Sequence, residues 1–129
     1  TQLTWEEFKP LFLNTPLHMR LGEEDLKHLE ESEGTKFVIL EATTTDTTEY
    51  RFKTAINGIY KEFKKYGLSP TSSWKGLFLV GYPNSYPITM VDMSYISTFL
   101  ENSFPHVELK WDIVANDTSA CKIICCLKM

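Results

Sequence analysis

Apolar residues follow three different rhythms along this chain. Two runs are apolar at consecutive positions, Phe37 to Leu40 within Lys36 to Ala42, and Leu77 to Val80 within Lys75 to Gly81. Such runs predict strands covered on both faces, as in the interior of an α/β sheet. Other stretches repeat at steps of three and four. The clearest is Phe52, Ala55, Ile56, Ile59, Tyr60 and Phe63, set opposite Arg51, Lys53, Lys61, Glu62 and Lys65. That spacing predicts an amphipathic helix with an apolar stripe and a charged outer face. Met93, Ile96, Phe99 and Leu100 make a second stripe, Trp5, Phe8 and Phe12 a third, and Leu26 with Leu29 hold down a short acidic helix between Gly22 and Glu33. Val107 to Val114 alternates over its first six residues, predicting a strand with one covered and one wet face. Ala120 to Leu127 reads as the last strand.

Punctuation between these segments supports the division. Thr4-Trp5-Glu6-Glu7 is a capping box that opens the first helix, and Pro10 limits how far that helix runs without a kink. Asn14-Thr15-Pro16 marks a turn. The polar run Thr43 to Glu49 invites a phosphate reading. Asp46 and Glu49 have capping-box spacing, however, and two carboxylates would repel an anion from a helix N-terminus. Lys64, Lys65 and Gly67 suit the C-terminal end of that helix, with cations at the negative dipole end and a glycine free to turn left-handed. A polar loop containing Pro70 follows, then the second strand, a loop with Tyr82, Pro83, Tyr86 and Pro87, and a third capping box at Thr89 and Asp92. Asn116-Asp117 marks the turn before the final strand.

The order is therefore helix, helix, β, α, β, α, β, β. Two βα units predict parallel neighbours with right-handed crossovers, and the last two strands are expected to pair as an antiparallel hairpin. The fold class is α/β: a four-stranded mixed sheet carrying two main helices on one face, with short helices at the N-terminus. A length of 129 residues suits a single domain with one core over 1–129. The chain opens in mid-pattern at Thr1 without an initiator Met and is expected to be a piece of something longer.

Composition narrows the function classes. At 43% hydrophobic, 23% charged and a net charge of −4, the chain has an ordinary globular make-up and lacks the basic footprint that nucleic acid requires. No apolar run approaches the roughly 20 residues of a membrane span, and no signal-peptide pattern opens the chain. Three cysteines, an odd number gathered at the end, fit reduced thiols in the cytoplasm. Cys121 and Cys125 share a strand face with Ile123, and Cys126 points the other way beside Ile124. Three thiolates so placed cannot converge on zinc, and they read as small buried hydrophobes. The last four residues, Cys126 to Met129, have the form of a prenylation box, but Lys128 breaks it. His18, His28 and His106 are isolated, and nothing resembles a Gly-rich phosphate cradle. The residues by themselves point to no metal or cofactor site.

The strand Lys75-Gly76-Leu77-Phe78-Leu79-Val80, the helix through Val91, Asp92, Met93 and Ile96, the strand Val107 to Ile113 and the Asn116-Asp117 turn resemble the C-terminal domain of FtsZ and the tubulin superfamily. Gln2-Leu3-Thr4-Trp5-Glu6-Glu7-Phe8 resembles the synergy loop of that family, in which Asn-apolar-Asp-aromatic-x-Asp-apolar leads into a helix. Here Gln2 replaces Asn, Thr4 stands where the first acid belongs, Glu7 takes the second, and Leu13 to Gly34 is longer than the family pattern.

The resemblance implies a domain of a filament-forming cytoskeletal GTPase that stacks head to tail on the nucleotide-binding domain of a neighbouring subunit. It offers Glu7, with Gln2 and Thr4 as degenerate loop positions, to the GTP held there. A carboxylate so placed orients the attacking water for phosphoryl transfer. GTP would belong to an upstream domain of the parent protein, and this domain alone should bind none. A stand-alone protein-interaction module of similar fold, and a small-ligand-binding α/β domain, are the readings that compete with it.

Overall fold

Two pairs of helices clothe the two faces of a five-stranded sheet. The computed structural model describes residues 2–14, 21–32, 36–68, 75–104 and 108–128. The elements are β1 (Gln2–Leu3), α1 (Trp5–Asn14), α2 (Glu23–Glu31), β2 (Phe37–Thr44), α3 (Arg51–Lys65), β3 (Lys75–Pro83), α4 (Met90–Ser103), β4 (Glu108–Asn116) and β5 (Cys121–Lys128). Asn14 of the expected turn ends α1, while Thr15 and Pro16, the loop around Pro70, His18 and His106 lie outside the described residues.

The sheet order is β1-β2-β5-β3-β4. This corrects two expectations. The fifth strand is β1, whose two residues pair antiparallel with Leu40 and Ile39 and are too short for any periodicity to reveal. The expected β4–β5 hairpin does not form. Instead β5 lies between β2 and β3, antiparallel to both, while β4 pairs parallel to β3 at the edge. The physical reason lies in the side chains. Ile123, Ile124, Cys125, Cys126 and Leu127 are all at most 2% exposed, so β5 needs cover on both faces and a strand on each side. β4 carries exposed Glu108 and Lys110, which suit an edge. Its outer half is less wet than alternation predicts. Asp112 is buried, accepting hydrogen bonds from the backbone N–H of Leu21 at 3.3 Å and of Ile113 at 2.9 Å.

On one face α3 and α4 bury Phe52, Ile59, Ile96 and Phe99 against Val38, Leu40, Phe78, Val80, Ile123 and Cys125. On the other, α1 and α2 bury Phe8, Phe12, Leu26 and Leu29 against Ile39, Leu77, Leu79, Ile124 and Cys126. Alternation along β5 thus sends Cys121 and Cys125 into one core and Cys126 into the other. Gly58 lets α3 approach β2, since a Cβ there would lie 3.0 Å from Ala42 Cβ. Gly76 is tighter still, because a Cβ would meet Leu127 Cδ2 at 2.7 Å and Leu109 Cδ1 at 2.8 Å. Gly67 closes α3 at φ +64°, the left-handed conformation that glycine adopts without cost.

All three thiols are free and buried, and burial pushes each above its ordinary pKa. At Cys121 the neighbouring Arg51 opposes that rise. Since the thiolate is the reactive form, native protein is expected to label slowly with a thiol reagent at neutral pH. All three cysteines should react at once in denaturant. Fast native labelling of two or more would contradict this packing.

Candidate functional site

The N-terminal segment forms a short edge structure at the end of the sheet where β2 begins. Leu3 pairs with Ile39, and Trp5 stacks on Phe37 with ring centroids 4.1 Å apart, which anchors the start of α1. The capping box at Thr4 is formed. The Glu7 N–H donates to Thr4 Oγ1 at 3.2 Å, and Glu7 Oε1 accepts from both the Thr4 N–H and the Thr4 hydroxyl at 3.1 Å. Thr4 and Glu7 are therefore brought together, and Gln2, Thr4, Glu6 and Glu7 are all exposed. A carboxylate offers about four lone-pair positions, so closing the box leaves Glu7 with acceptor capacity facing solvent. Helix α1 continues through Pro10 to Asn14, and buried Phe8 and Phe12 hold it to the sheet. The segment is thus an acid on an anchored helix start, beside an open surface hollow of about 570 Å³ lined by Trp5, Glu6, Lys9, Pro10, Leu13 and Asn14.

A second constellation lies at the opposite end of the sheet and was not expected. Arg51, assigned by periodicity to the outer face of α3, is only 4% exposed. Its Nε donates to both Asp92 oxygens at 3.2 Å, and one terminal nitrogen reaches Asp92 Oδ2 at 2.6 Å. The terminal nitrogens also donate to the carbonyls of Tyr86 at 2.8 Å and Pro87 at 2.9 Å. Asp92, 1% exposed, in turn accepts the Thr89 N–H at 2.9 Å and completes the α4 capping box. The pair floors an open cleft of about 440 Å³ walled by Thr47, Thr48, Glu49, Ser85 and Thr89. With the guanidinium committed to Asp92 and two carbonyls, no other cation among the described residues lining this cleft is available to an anion.

The expected capping box at Asp46 and Glu49 is also corrected. Asp46 Oδ1 accepts the Thr48 N–H at 2.8 Å, which shapes the turn before the helix and holds the Asp46 carboxyl below its usual pKa. Helix α3 starts later, with Tyr50 at its N-cap and no side-chain cap. The signal that could have found Arg51 is its spacing, four residues before Ala55 and eight before Ile59, both of them buried. Among the described residues no group of three or more His, Cys, Asp or Glu could hold a metal, and no helix is long and apolar enough to cross a membrane.

Neither protein-family models nor curated protein sequences match this chain. Solved structures do. The FtsZ dimer of M. jannaschii superposes with a TM-score of 0.67 at 13% identity, over 88% of this chain and 32% of that one. GDP-form protofilaments of TubZ from Bacillus thuringiensis serovar israelensis give 0.69 at 13% identity, over 89% and 31%. The TubZ-Bt four-stranded filament gives 0.68 at 11% identity, over 98% and 35%. The chain has an FtsZ/tubulin-superfamily fold, and it spans about a third of the length of these proteins.

Proposed function

We propose that this chain is the C-terminal domain of an FtsZ/tubulin-like cytoskeletal GTPase of the cytoplasm. Its role is head-to-tail assembly, with the Gln2–Glu7 segment set against the GTP of a neighbouring subunit. The observation that carries the reading is the formed Thr4–Glu7 box. It holds a carboxylate exposed at the end of a fold shared with proteins solved as a dimer and as filaments. A carboxylate presented on a helix start can orient a water held by another subunit, and catalysis of phosphoryl transfer consists largely of such positioning and of charge. Gln2 and Thr4 are uncharged, so Glu7 is the one full charge at the three polar positions the motif specifies, with Glu6 beside it.

Glu7→Gln tests this directly, because Gln at that position still closes a capping box and leaves the fold intact. In the parent protein, the substitution is expected to lower assembly-dependent GTP turnover by roughly a hundredfold, the low end of a positioned general base. Nucleotide affinity should stay the same. The measurement is steady-state phosphate release against protein concentration, with affinity determined in parallel. Turnover linear in protein and indifferent to Glu7→Gln would favour an interaction module without nucleotide. GTP binding by the 129-residue chain alone would contradict the reading, since no segment of it cradles a triphosphate.

A further inference from the structure

Strands β2 and β3 both run antiparallel to β5, so Thr44 and Pro83 share one end of the sheet, and Phe37 and Lys75 share the other. The Gln2–Glu7 segment lies toward the Phe37 end, where Trp5 stacks on Phe37. The contact proposed above uses that end and asks nothing of the Thr44 end, which carries the Arg51–Asp92 cleft.

Around this cleft four large side chains stand out to solvent: Tyr50 at 51%, Tyr86 at 47%, Met90 at 86% and Val91 at 42% exposed. Tyr86 and Val91 line the cleft itself, and Tyr50 and Met90 adjoin Glu49 and Thr89, which also line it. Exposed apolar groups gathered in this way mark interaction sites. Arg51 binds the Tyr86 and Pro87 carbonyls and, through Asp92, the cap that starts α4. A surface ordered in advance costs less to bind. The charges at this end then select what can dock. Arg51 is spent on Asp92, and Lys122 pairs with Glu41 at 3.6 Å, so these four groups offset one another. Asp46, Glu49 and Asp117 remain, against Lys53 alone. Glu49 lines the cleft beside the hydroxyls of Thr47, Thr48 and Ser85. Lysine and arginine carry only donors, and every one of those groups can accept. An acidic or phosphorylated partner would meet carboxylates, with the guanidinium of Arg51 already committed.

We infer that the Thr44 end is a docking surface for a basic and apolar segment of another protein. A Lys or Arg side chain of that segment enters the cleft against Glu49, and its apolar side chains lie on Tyr86, Met90 and Val91. Charge complementarity fixes the sign of the partner, and the apolar surface supplies the anchor. Arginine is the better occupant beside exposed tyrosines, because a guanidinium stacks on aromatic faces. The surface includes neither Glu7 nor its capping box, so this inference and the GTP reading fail separately.

The test selects a displayed library of random short peptides on the 129-residue chain and depletes it on the double variant Tyr86→Ser/Met90→Gln. Both side chains are exposed, and Arg51 holds the Tyr86 carbonyl rather than its ring, so the variant should keep the fold, which unchanged melting verifies. Enriched peptides are expected to be net positive, with Lys or Arg next to apolar residues. Synthesised with a fluorophore, they should bind wild type with an affinity that falls as salt rises. Tyr86→Ser/Met90→Gln and, separately, Glu49→Lys should each weaken binding by at least about tenfold. A selection that enriches nothing overturns the inference. So do enriched peptides that are acidic, or that bind both variants as tightly as wild type. Sedimentation of the chain without peptide covers the remaining occupant: self-association that is lost in Tyr86→Ser/Met90→Gln would assign the surface to a second copy, and would overturn the inference as well.

Discussion

Ile56→Asp is expected to unfold the domain. Ile56 is 7% exposed in the layer between α3 and the sheet, beside Phe52, Ile59 and the β2 side chains. An aspartate there has no cation in the apolar layer to pair with, and the cost combines lost apolar burial of about 2 kcal/mol with the larger penalty of desolvating a charge. Together these exceed about 5 kcal/mol, the low end of ordinary domain stability. Far-UV circular dichroism and urea titration at neutral pH measure it. The variant should show no cooperative transition, and acidification, which neutralises the aspartate, should restore part of the helical signal. A variant that melts cooperatively with an unchanged midpoint would refute the packing of α3 on β2, β5 and β3.

That packing is the part of the molecule most legible in sequence. The α3 stripe apart from Tyr60, which is 44% exposed, the apolar runs of β2 and β3, the boxes at Thr4 and Thr89, the left-handed Gly67 and the alternation of the three cysteines all rest on local chemistry, and all stand in the structure. What local chemistry leaves undetermined is which strands pair. The Asn116-Asp117 turn signals a change of direction, and a hairpin is the nearest way to satisfy it. The chain instead crosses over β3 and inserts β5 between β3 and β2. The discriminating information was present as composition: β5 is apolar on both faces, whereas β4 carries Glu108 and Lys110.

Burial of a charged residue was hidden for a similar reason. Arg51 lies on the flank of the α3 stripe, four residues before buried Ala55, and the return of the chain as the Tyr86–Thr89 loop and α4 covers it. Its partner, 41 residues on, was legible as a cap but not as a counter-ion. In the N-terminal segment, only the resemblance singles out Gln2, Thr4 and Glu7 as candidates, and periodicity gives no such signal. Their hydrogen bonding was foreseeable from the box alone.

The Arg51–Asp92 pair gives the second large effect. Asp92→Ala removes the counter-ion and one acceptor of the α4 capping box, leaving a buried guanidinium with two carbonyls for company. Breaking a buried pair from one side costs roughly 3–5 kcal/mol, and losing a cap about 1 more. Arg51→Met leaves Asp92 the Thr89 N–H and keeps the cap, and it frees the Tyr86 and Pro87 carbonyls, which lie where water can reach them. It should therefore cost less than Asp92→Ala. The double variant exposes what the pair contributes beyond its parts. With both charges gone, no buried ion remains uncompensated, and the double variant is expected to be more stable than Asp92→Ala alone despite carrying one more substitution. Urea denaturation of the four proteins gives the coupling energy, which should reach about 2 kcal/mol or more for side chains in direct contact. Strict additivity would mean that Arg51 and Asp92 act as independent charges and not as one hydrogen-bonded pair.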